Sequence, residues 1–98
     1  MKDYFLTTFY EVVCADPRIG ATHISLYMAF FQRWQANQFK NPIVFTSREI
    51  MPLAKIDSRT TFHRCLRDLV EGGYIRYIPS CDPVVKCLVF LNKLGADD

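Results

Sequence analysis

A chain of 98 residues, half of them apolar and 14% aromatic, has room for one small domain with its own core and is too apolar to stay disordered. Its formal net charge of +2 is too small to imply a polyanionic partner, so any nucleic-acid argument rests on where the charges sit. No apolar run reaches the ~20 residues of a membrane span, and Asp3 and Glu11 interrupt the N-terminal segment where a signal peptide would be apolar. A cytoplasmic protein with no membrane contact is expected.

Residues Asp3 to Ala15 read as an amphipathic helix, with Phe5, Leu6, Phe9, Val12 and Val13 in one arc. Its apolar face Phe5–Phe9–Val13 can pack on the core or on a second copy, so a homodimer through this helix is one expectation. "ADPRIG" breaks it with turn chemistry. Thr22 reads as the N-cap of "HISLYMAFFQRWQANQF", whose wide apolar surface predicts a central helix packed on both sides, with Ser25, Ala29, Gln32 and Ala36 toward solvent. Phe30, Phe31 and Trp34 read as core and imply no small-molecule ligand.

"NPIVFT" predicts a brief strand, and "TSRE" a capping box opening a short helix with Ile50, Leu53 and Ala54 as its apolar stripe. Pro52 inside that stripe predicts either a kink or a later start. After the turn "KID", with Ile56 as an apolar plug, Asp57 or Ser58 caps a helix running to Glu71, where Gly72-Gly73 supply a left-handed end. "YIRYI" and "VVKCLVFL" predict a hairpin around the turn "PSCDP". Strand alternation groups Ile75 with Tyr77, and Tyr74 with Arg76 and Ile78. The reading is one domain over residues 1–94, an accessory helix at 1–15 and a frayed tail at 95–98.

Cys14, Cys65, Cys81 and Cys87 form no C-x-x-C pair, and with His23 and His63 they make no metal-ligand spacing. No metal or cofactor is expected. Cys14 and Cys65 fall on apolar helix faces, which predicts buried reduced thiols. Cys81 and Cys87 flank the hairpin turn and read as reduced surface thiols, although they could pair across it. No nucleophile, glycine loop or metalloprotease motif is present, so the sequence points away from an enzyme.

The helix Ser58–Glu71 carries the functional signal. Phe62, Cys65, Leu66 and Leu69 share one face; Thr60, His63, Arg64 and Arg67 occupy the other, with Arg59 and Thr61 at its borders. A helix that reads duplex DNA needs this division, because its apolar side anchors it while arginine and hydroxyl groups meet phosphates and base edges. Ser58, Arg59, Thr60, His63, Arg64 and Arg67 are the candidate groove-facing residues, and Arg76 and Lys86 on the hairpin are candidates for flanking phosphates. A plainer reading is also open. Arg64–Asp68 and Arg67–Glu71 stand at i,i+4, and such pairs would make this a solvated face held by a few tenths of a kcal/mol each.

"SREIMPLAKIDSRTTFHRCLRDLVEGGYIRY" resembles the winged helix-turn-helix pattern of short bacterial transcriptional regulators. Ser58 and Thr61 match its S-x-x-T, and Leu69, Gly73 and Ile75 match its L-x-x-x-G-x-I. The segments "DPRIGATHISLYMAFFQRW" and "GYIRYIPS" extend the likeness over nearly the whole chain. The resemblance implies a mainly α (α+β) winged helix-turn-helix fold, with an added N-terminal helix, a C-terminal β-hairpin wing and element order α-α-β-α-α-β-β. It further implies sequence-specific binding of double-stranded DNA in transcription regulation. Because winged helices also serve as protein-interaction modules, that is the alternative.

Overall fold

A computed structural model, which describes residues 2–79 and 86–92, has four helices and one small antiparallel sheet. The element order is α1 (Lys2–Cys14), α2 (Ala21–Ala36), β1 (Ile43–Phe45), α3 (Ser47–Ala54), α4 (Arg59–Glu71), β2 (Ile75–Ile78) and β3 (Cys87–Leu91). This is the expected α+β order, with α2 and α4 packed on the sheet. The expected turn "PSCDP" with Cys81, the first residues of the second hairpin strand and the frayed tail fall largely or wholly outside the described residues.

Helix α1 uses its apolar arc internally. Phe9 and Val13 are buried, and the Phe9 ring stacks on Tyr27 with centroids 3.7 Å apart. The face on which a homodimer was expected is therefore covered within the chain at these two residues. Val12 and Cys14 turn outward instead, which corrects the expectation of a buried Cys14 thiol; Cys65 is buried as expected. A straight helix has only one core-facing stripe, and Val12 and Cys14 flank Val13 at ~100° on either side of it.

The first turn is built on Asp16, which accepts the Arg18 N–H (3.0 Å) and, 58 residues away, the Tyr74 hydroxyl (2.9 Å). Helix α2 then starts at Ala21, so Gly20 is the N-cap and Thr22 lies inside the helix. Gly20 has no side chain to cap with, and the ring of His23 supplies the contact: its Nδ1 accepts the Gly20 N–H at 3.0 Å. Leu26, Tyr27, Phe30, Phe31 and Trp34 are buried, together with Ala29. The expected exposure of Ala29 and Ser25 fails because α2 lies between α3, α4 and the sheet, and Ser25 Oγ donates to the Ala54 carbonyl; Met28 faces solvent alongside Gln32 and Ala36. The helix ends at Ala36 and not at Phe39, since Gln38 and Phe39 take positive φ (57° and 59°) and fold the Phe39 ring back edge-on against Trp34.

Helix α3 opens on the expected capping box. Thr46 Oγ1 accepts the Glu49 N–H, and Glu49 Oε1 accepts the Thr46 N–H, both at 3.2 Å. The helix therefore starts at the box, with Pro52 inside it. Ile50 and Ala54 are buried, but Leu53 is exposed. Lys55 (φ 62°) terminates it, Ile56 is buried as the plug, and Ser58 rather than Asp57 caps α4 through a 3.2 Å bond from the Thr61 N–H.

After α4 the two glycines divide the labour. Gly73 takes the left-handed φ of 83°, while Gly72 is needed for space, because a Cβ there would lie 2.6 Å from the Tyr74 ring. Tyr74 precedes β2 and is fully buried, not grouped with exposed Arg76 and Ile78. Burial, then its bond to Asp16, pushes its hydroxyl up to about 12. Strand β3 lies in the middle of the sheet, pairing Ile43 with Val89 on one side and Ile75 with Leu91 on the other. The Asn41 side chain prolongs the β1 edge by bonding both the N–H and the C=O of Leu91.

Candidate nucleic-acid interface

Helix α4 is held by its inner face. Phe62, Cys65, Leu66 and Leu69 are all buried, and each large side chain there contributes ~1.5–3 kcal/mol by leaving water. Arg59, Thr60, His63, Arg64 and Arg67 are exposed on the outer face. The His63 ring meets Phe62 edge-on at 5.2 Å. Burial pushes the Cys65 thiol up, which leaves it a weak nucleophile.

Arg59, Arg64 and Arg67 have no carboxylate within 4.0 Å among the described residues. The anticipated Arg64–Asp68 and Arg67–Glu71 pairs do not form. Asp68 turns sideways to α2, where its Oδ2 lies 2.8 Å from His23 Nε2. Because His23 Nδ1 already accepts the Gly20 N–H, Nε2 carries the hydrogen and donates it to Asp68.

The other expected contacts are placed differently. Ser58 is half-buried and its Oγ is engaged as the cap, so its hydroxyl is turned to the helix rather than to a groove. Arg76 is exposed, and its guanidinium lies over the Phe90 ring, 4.8 Å from the centroid. Lys86 is exposed but paired, with Nζ 3.3 Å from Glu49 Oε2. Arg33 joins the same carboxylate at 3.7 Å and also donates to the Val44 carbonyl. Glu49 thus ties α2, α3 and the start of β3 together. The Thr46 N–H first, and then Lys86 and Arg33, hold its carboxyl below the usual range.

Sequence reasoning missed Arg33, His23 and the acidic partners that draw cations and donors out of play. The capping box located Glu49, but Lys86 is 37 residues beyond it and no spacing rule joins them. Among the described residues no cluster of His, Cys, Asp and Glu could hold a metal ion, and no helix is long and apolar enough to cross a membrane. No family model matches the chain, and no curated protein or solved structure is significantly similar to it.

Proposed function

We propose that this chain is a small transcriptional regulator that binds double-stranded DNA sequence-specifically through the outer face of α4. The observation that carries the reading is that Arg59, Arg64 and Arg67 are exposed together on one helix with no acidic partner among the described residues. At 1.5 Å per residue, Arg59 to Arg67 spans about 12 Å, close to the width of a major groove. The order α3, a short turn and α4, both packed on α2 and followed by the paired strands β2 and β3, supports a winged helix-turn-helix with the hairpin as its wing.

Binding to genomic duplex fragments, titrated against salt, tests this. With about five phosphates neutralised, log affinity falls against log salt with a slope of about −4.5. The Arg64→Ala/Arg67→Ala variant reduces that slope by about two and keeps the wild-type thermal unfolding midpoint. Salt-insensitive or absent binding overturns the reading.

One observation favours a second reading, a protein-interaction module without base readout. Both candidate wing cations already have partners in the chain, Lys86 on Glu49 and Arg76 on Phe90. On that reading the double arginine variant leaves duplex binding unchanged.

A further inference from the structure

Asp68 stands four residues after Arg64, the spacing at which opposite charges meet on a helix surface. Left to α4 alone, its carboxylate would compete with DNA for the cation at the middle of the exposed face. In the folded chain it is held elsewhere. We propose that His23 of α2 is a positioning residue for DNA binding: it keeps the Asp68 carboxylate away from Arg64 and so leaves that guanidinium available to phosphate or base. This rests on the DNA-binding reading above.

The His23 ring suits the task because both nitrogens are committed. Nδ1 accepts the Gly20 N–H at 3.0 Å, which fixes the ring plane at the start of α2, and Nε2–H points at Asp68 Oδ2 at 2.8 Å. The two side chains are 12% and 25% exposed, so water competes weakly for either partner. Arg18 reinforces the same side. Its charge is favoured first by Asp16 and more weakly by Glu71 and Asp68, so a positive field from the α1–α2 turn also draws Asp68 inward. Arg64, by contrast, is open to solvent, where an ion pair gains little over hydration. A buried-side hydrogen bond from a fixed donor therefore wins the carboxylate.

The experiment is a salt titration of duplex binding by four proteins: wild type, His23→Leu, Asp68→Asn and the double variant. Removing the donor releases Asp68 to Arg64, so His23→Leu binds with a slope shallower by about one, a roughly fourfold smaller change in affinity between 50 and 200 mM salt. Adding Asp68→Asn restores the wild-type slope. Asp68→Asn alone leaves the slope where it was, because that carboxylate is already withdrawn and the amide oxygen can still accept from His23. A His23→Leu slope equal to wild type overturns the proposal, as does a double variant as shallow as His23→Leu. So does a steeper slope in Asp68→Asn alone, and this last arm decides the matter if His23→Leu does not fold. The Arg64 Nε–H resonance gives a readout without DNA: it shifts in His23→Leu and returns in the double variant. If wild type binds no duplex, the functional reading fails, and that resonance still tells whether His23 governs the partner of Asp68.

Discussion

Two basic regions of this molecule differ in whether their cations meet a carboxylate. On α4, three arginines within nine residues face solvent with no carboxylate in reach among the described residues. At the corner of α2, α3 and β3, Arg33 and Lys86 converge on one carboxylate, Glu49. The difference lies in what the fold brings opposite each cation. Asp68 and Glu71 are near the α4 arginines in sequence, yet Asp68 is diverted to His23; Glu49 is far from Lys86 in sequence, yet within 3.3 Å of it in space. Counting charges along the chain would have ranked these regions the wrong way round.

The largest expected effect separates the anchoring face of α4 from its outer face. Leu69 is fully buried, so Leu69→Ala removes packing and leaves a cavity, at a cost of about 2–5 kcal/mol. Arg64→Ala, one turn away but in water, shifts stability by less than about 0.5 kcal/mol. Urea unfolding of the two variants measures both. Comparable losses would mean that the arginine face is structural.

That division was legible in the sequence because everything that produces it is local. The 3.6-residue period separates Phe62, Cys65, Leu66 and Leu69 from the arginines, Ser58 offers a cap, and Gly73 offers the positive φ that ends the run. Periodicity states which side of a helix is buried, but not what packs there. The bond from His23 to Asp68, the bond from Tyr74 to Asp16 and the Glu49 corner all depend on tertiary neighbours, and no local pattern announces them. Cys14 and Ala29 were misplaced for a related reason. Arc width on a helical projection says nothing about how many elements surround the helix.

The intermediate effect turns the neutralised corner into a likeness of the α4 face. Glu49→Gln keeps a side-chain oxygen for the Thr46 N–H, so the capping box survives, but it withdraws the charge that holds Arg33 and Lys86. If Lys86 lies on the path of the duplex, freeing it steepens the salt slope of binding by about one, and by about two if Arg33 also reaches a phosphate. An unchanged slope in the same titration would confine DNA contact to α4.

The smallest effect is the acid response, which separates the two regions by what titrates. The Glu49 carboxyl is held below its usual 4.5 by the Thr46 N–H first and then by Lys86 and Arg33. Asp16 is held below 3.8 by the Arg18 backbone N–H first and then by the Tyr74 hydroxyl. A carboxyl whose folded value is depressed binds its proton more readily in the unfolded chain. Its stabilisation is therefore complete above the unfolded value and is lost as pH falls through the folded one. Stability should hold steady above about pH 5 and decline below the two unfolded values, and Glu49→Gln should remove the upper part of that decline. The α4 arginines hold no carboxylate among the described residues, so the Arg64→Ala/Arg67→Ala variant should unfold along the wild-type pH curve. An acid limb that Glu49→Gln leaves untouched would show that neither the Thr46 N–H nor the two cations favours the charged carboxyl, which would leave those cations no more tied down than the arginines of α4.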